Sequence, residues 1–127
     1  MAAHDVSLVE FQQIIASNDL VFLDFWASWC GPCRSFKPVF EKAAVKHPDA
    51  YFGKVDTEAQ QELAAAFSIS SIPTLMAFRE GVLVYSQPGA LPPHALEELI
   101  GKVKTLDMDA VRSEIAKQQQ QQSPAPA

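Results

Sequence analysis

Cys30 and Cys33 are the chain's only two cysteines. The two residues between them let the pair either close a small disulfide ring or open to a dithiol. They end the stretch Leu23-Asp24-Phe25-Trp26-Ala27-Ser28-Trp29-Cys30-Gly31-Pro32-Cys33, which also holds both tryptophans and a single acid within an apolar run. That run reads as a strand, and helical spacing begins after it, so the cysteines are expected at a helix N-terminus. Free backbone N–H groups and the helix dipole favour an anion there, by ~0.3–1 kcal/mol and up to ~2 when partly buried. Such a site holds a thiol in its reactive thiolate form.

In that helix Cys30 takes the capping position, expected to be exposed to partners. Cys33 lies one turn inside, shielded and placed to attack a sulfur bonded to Cys30. Pro32 lacks an N–H, but the first turn does not use that donor. Gly31 lets a partner backbone approach closely. Zinc is the rival use of a cysteine pair, and it asks for four ligands, commonly from a second close pair. His4, His47 and His94 are scattered at no ligand spacing, so no metal is expected. His47 reads instead as a cation at a helix C-terminus.

The elements that must position the pair follow from periodicity. Met1 to Val6 is only weakly strand-like. Ser7-x-x-Glu10 is a capping box, with Leu8, Phe11 and Ile15 on one helical face. Leu20 to Trp26 is nearly continuously apolar, the pattern of a strand covered on both faces. A helix from Gly31 to His47 turns Phe36, Val39, Phe40 and Ala43 to the core, with Pro38 inside it and a bend expected there. Tyr51 to Asp56 is a strand, and Thr57-x-x-Gln60 predicts a second capping box opening a helix to Phe67. Thr74 to Arg79 and Val82 to Ser86 flank Glu80-Gly81, a hairpin signal. Pro92-Pro93 opens a helix carrying Leu96, Leu99, Ile100 and Val103. The class is α/β: a mixed central sheet flanked by helices on both faces.

Trp29-Cys30-Gly31-Pro32-Cys33 after Asp24-Phe25-Trp26 resembles the active-site signature of the thioredoxin family. The likeness continues through Pro38, Lys54-Val55-Asp56, Ile72-Pro73-Thr74, Glu80-Gly81 and Gly89, covering about Ser7 to Lys104. It implies the thioredoxin fold and protein-disulfide reductase activity, with a dithiol regenerated by an NADPH-dependent flavoprotein, thioredoxin reductase. Disulfide-containing proteins would be the substrates, and no cofactor need bind this chain. Asp24 is either a structural acid satisfied by nearby donors or a proton carrier; the resemblance implies that it serves the inner cysteine. Lys54, on a strand expected beside that of Asp24, is its candidate charge partner. The resemblance further implies a cis Pro73 beside the disulfide, and an apolar substrate rim of Trp29, Ile72, Pro73, Pro88 and Gly89. Ser71 stands where many relatives have glycine, and Pro88 where a β-branched residue is common.

Oxidase or isomerase chemistry belongs to the same fold, but such relatives often carry histidine before the second cysteine, where Pro32 stands. A non-enzymatic binding module using the apolar rim is the remaining alternative. A net charge of −5 at 127 residues argues against nonspecific nucleic-acid or anionic-membrane binding. No apolar run approaches the ~18 residues of a membrane span. No Lys or Arg precedes Arg34, and Asp5 and Glu10 interrupt the apolar start. A cytoplasmic monomer is therefore expected. The domain is expected over 1–105, with a short helical extension over 106–122 built on Met108, Val111 and Ile115. A disordered tail is expected over 123–127.

Overall fold

The computed structural model describes residues 2–122. Strand β1 (Ala3–Asp5) leads to helix α1 (Leu8–Ser17), β2 (Leu20–Trp26), α2 (Gly31–Lys46), β3 (Tyr51–Asp56) and α3 (Gln61–Ala66). A hairpin of β4 (Thr74–Arg79) and β5 (Val82–Pro88) follows, then α4 (Pro93–Lys104) and α5 (Met108–Gln122). The sheet order is β1-β3-β2-β4-β5. Strands β1, β3 and β2 run parallel, while β4 is antiparallel to β2 and to β5. Among the described residues no helix is long and apolar enough to cross a membrane.

The period of two along β2 divides the core. Leu20 and Phe22 point to one face, where they meet Phe36 and Phe40 of α2, Phe52 of β3, and Leu96 and Ile100 of α4. Val21, Leu23 and Phe25 point to the other, with Ile14 of α1, Leu63 of α3, Met76 and Phe78. Covered on both faces, β2 buries all of its side chains except the half-buried Trp26. The same alternation sends Asp24 to the α2 face, two residues beyond Phe22. On β3 it sends Lys54 there too, two residues beyond Phe52.

Several expectations need correction. The weakly strand-like N-terminus forms β1, paired in register with β3 through Ala3–Phe52 and Asp5–Lys54; a parallel edge supplies the order that local propensity lacks. Thr57 does not cap a helix. Its N–H and hydroxyl both donate to the Trp26 carbonyl, at 2.9 and 3.0 Å, so it clips β3 to the end of β2 instead. The Asp56 carboxylate accepts from the N–H groups of Glu58 and Ala59, and α3 starts only at Gln61. Strand β5 extends two residues beyond Ser86, bringing Pro88 opposite Thr74. The hairpin turn is as expected, with φ of 53° at Glu80 and 79° at Gly81, the left-handed pair of a tight two-residue turn. The C-terminal extension is a helix of fifteen residues that carries the glutamine run. The expected disordered stretch 123–127 lies outside the described residues.

His47 caps α2 as expected; its Nε2 lies 2.7 Å from Glu97 Oε2 and its Nδ1 2.8 Å from Lys104 Nζ. An ammonium only donates, so Nδ1 is the accepting nitrogen and Nε2–H donates to Glu97.

Candidate functional site

Strand β2 ends at Trp26, and the chain turns through Ala27 to Trp29 before α2 begins. Cys30 is the N-cap of α2, with extended backbone (φ −86°, ψ 115°), and Pro32 falls in the first turn. The Cys33 N–H donates to Cys30 Sγ at 3.2 Å, so the sulfur takes the place that a Ser or Asp oxygen fills at an ordinary cap. The two sulfurs are joined as a disulfide, with Cα atoms 5.2 Å apart. Cys30 Sγ also lies 3.7 Å from the Ile72 carbonyl oxygen. In the disulfide that sulfur carries no proton, so this is a contact rather than a hydrogen bond.

The expected difference in exposure between the sulfurs is not observed. Cys30 is 4% exposed and Cys33 3%. In the oxidised state each sulfur covers the other, and the Ile72 carbonyl closes over the outer one. Their asymmetry lies in their partners. Cys30 receives the helix N–H, while Cys33 lines a cavity of about 240 Å³ with Asp24, Trp26, Ala27, Ser28, Arg34, Lys37 and Lys54.

Asp24 is 2% exposed, and its Oδ1 has no hydrogen-bond partner among the described residues. Burial pushes its carboxyl from 3.8 up to about 7, against an opposing pull from the Lys54 ammonium. Lys54 is the register partner of Asp24 on β3, as the sequence suggested. Its ion pair, however, is with Glu41 of α2, Nζ to Oε1 at 3.1 Å. That contact is close in distance but outside hydrogen-bond geometry. Glu41 was missed by sequence reasoning. Its only signal is its place two turns beyond Cys33, in the ridge Cys33, Lys37, Glu41. Trp26 has a buried indole N–H without a hydrogen-bond partner among the described residues and faces the same cavity.

Around the disulfide, Trp29 is 67% exposed, so it is not a core residue. Ser71, Pro88, Gly89, Gly31 and Pro32 are exposed and Ile72 is half-buried. The Ile72–Pro73 peptide is cis. Pro73 itself is buried, beneath the rim rather than on it. Its carbonyl accepts from the Gly89 N–H at 2.7 Å, and at Gly89 φ is +108°, a conformation that side chains resist. The Thr74 hydroxyl donates to the Ser71 carbonyl. These bonds tie the start of β4 to the end of β5 beside the sulfurs. Among the described residues no group of three His, Cys, Asp or Glu side chains is placed to hold a metal.

Comparison with known proteins agrees with this geometry. The thioredoxin family model matches residues 3–105. A putative thioredoxin 2 of Streptomyces coelicolor is 61% identical over 111 residues, covering 87% of this chain and 83% of the relative. A thioredoxin of Porphyra purpurea is 39% identical over 104 residues, covering 80% of this chain and 97% of its own. Among solved structures, a mutant thioredoxin from Halobacterium salinarum superposes with a TM-score of 0.76 at 35% identity, covering 82% of this chain and 92% of that one. Thioredoxin from Plasmodium falciparum gives 0.73 at 37% identity, covering 78% and 97%. Sequence, fold and site agree, and the chain belongs to the thioredoxin family, its cysteine pair a redox centre for thiol–disulfide exchange.

Proposed function

We propose that this protein is a general protein-disulfide reductase in which Cys30 attacks, Cys33 resolves and Asp24 carries the proton. The observation that carries the reading is the Cys30 sulfur capping α2, receiving the Cys33 N–H. In the reduced protein the same donor and the helix dipole stabilise a Cys30 thiolate. The thiolate attacks a substrate disulfide, forming a Cys30–substrate mixed disulfide and releasing one substrate thiolate. Cys33 then gives its proton to the Asp24 carboxylate and attacks Cys30 sulfur. The Cys30–Cys33 disulfide forms and the second substrate sulfur leaves as a thiolate, which takes up a proton from Asp24 or water, so two electrons have passed to the substrate.

A carboxyl titrating at about 7 suits that proton transfer, because both its forms are populated near neutrality. The shared cavity supports a path between Asp24 and Cys33. Gly31 and Pro32 hold the helix start, and Lys54 tempers the Asp24 charge. The exposed Trp29, Ser71, Ile72, Pro88 and Gly89, over Pro73, form the substrate face; an extended peptide can pair with the backbone there. A thioredoxin reductase drawing on NADPH returns the pair to the dithiol. The protein works as a monomer in a reducing cytoplasm, where a dithiol persists.

Insulin reduction by the wild type, Cys30→Ser and Cys33→Ser tests the assignment. Cys30→Ser is expected to be inert, and Cys33→Ser to accumulate mixed disulfides at Cys30. Turnover by Cys30→Ser, or retention of full function by the double serine variant, would contradict it.

A further inference from the structure

Three charged side chains from three elements meet behind the cysteines, and only two of them enter the reaction above. Asp24 on β2 and Lys54 on β3 are neighbours in register. Lys54 nevertheless pairs with Glu41 of α2 at 3.1 Å, the two side chains only 13% and 20% exposed. The Asp24 carboxyl keeps one oxygen without a hydrogen-bond partner among the described residues.

We propose that Glu41 is a positioning residue: it holds the Lys54 ammonium to α2, and so governs when the buried Asp24 carboxyl gives up its proton. The inference rests on the proton-carrying role assigned to Asp24. An opposite charge within ~4–6 Å lowers a carboxyl pKa by about 1–3 units. An ammonium held to a second carboxylate on α2 delivers only part of that pull, because Glu41 and not Asp24 sets where it stands. Glu41's own negative field acts in the same direction without Lys54, and is the smaller part that remains when Lys54 is removed.

The other charges around this cluster do not do the same work. From α2, Cys33, Arg34 and Lys37 face the cavity, but Arg34 and Lys37 are exposed and screened by solvent. Strand β4 places uncharged Leu75 opposite Asp24. On the far side of Lys54, Asp5, Glu10 and Asp56 line the adjoining cavity, none of them in an ion pair with it among the described residues. Glu41 is the carboxylate in contact with the ammonium.

The test is a carbon-13 NMR titration of the Asp24 carboxyl in the oxidised full chain. It compares wild type, Glu41→Gln, Lys54→Met and the double variant. Glu41→Gln is expected to lower the Asp24 midpoint by roughly one pH unit, and Lys54→Met to raise it. In the Lys54→Met background, Glu41→Gln is expected to move the midpoint far less. An Asp24 midpoint unchanged or raised in Glu41→Gln would overturn the proposal, as would a full shift in the double variant. A merely structural tie between α2 and β3 would lower the melting temperature without moving Asp24. Should Glu41→Gln fail to fold, Glu41→Asp, whose shorter reach weakens the pair, is expected to shift the midpoint down by less, and no shift would count against the role. The pH–rate profile separates the two readings. If the midpoint moves and the profile does not follow, Glu41 governs Asp24 but Asp24 does not carry the proton.

Discussion

Asp24 carries the strongest conflict between burial and charge in the molecule. Its folded carboxyl titrates at about 7 against an ordinary 3.8, so between those values the folded chain keeps a proton that the unfolded chain has lost. Stability therefore falls as pH rises through that window, and the full cost is present above about 7. Asp24→Asn is expected to be more stable than wild type by on the order of 4 kcal/mol at about pH 8. That gain should fade toward pH 4, as urea denaturation at the two pH values would show. The same substitution should slow turnover and flatten the limb of the pH–rate profile near neutrality. A profile that keeps that limb in Asp24→Asn would remove Asp24 from the proton transfer. The acid could be singled out in sequence because a carboxylate in an apolar strand is costly unless it is used or paired. Glu41 could not, because an acid on an amphipathic helix is normally solvated, and only the packing of α2 over β3 leaves this one half-buried.

At the scale of the elements, the site depends on β2 and β3 lying in register, so that Asp24 and Lys54 share the α2 face. Gly53 is what allows that closeness. A Cβ there would stand 2.6 Å from Val6 Cγ2 and 2.8 Å from Leu23 Cδ2, both on buried residues. Gly53→Ala is expected to destabilise the fold by ~1–3 kcal/mol, measured by chemical denaturation; an unchanged midpoint would show that β3 shifts freely. Strong periodicity made β2, α2, the hairpin and α4 readable from sequence. The failures came where a distant partner overrides local signals. The edge strand β1 has three residues and orders only against β3. Thr57 looks like a cap, yet the Trp26 carbonyl claims its hydroxyl. Cys30 reads as exposed from its capping position, while the Ile72 carbonyl, forty-two residues away, covers it.

For the whole molecule, the sheet separates chemistry from extension. The sulfurs follow the Trp26 end of β2, near Thr74, whereas Leu20 at the other end of β2 pairs with Arg79. Helix α5 attaches at that far end, where Arg112 reaches Glu80 in the hairpin turn at 2.7 Å. Removing residues 107–127 is therefore expected to leave insulin reduction unchanged; a large loss would assign the extension a part in substrate handling. What remains is a scaffold that presents one reactive sulfur to a partner. The most direct test of that claim is the pH dependence of iodoacetamide alkylation in the reduced protein. Reaction is expected at Cys30 alone, with a midpoint well below the ~8.5 of free cysteine. Both cysteines reacting together, with the midpoint of free cysteine, would contradict the account.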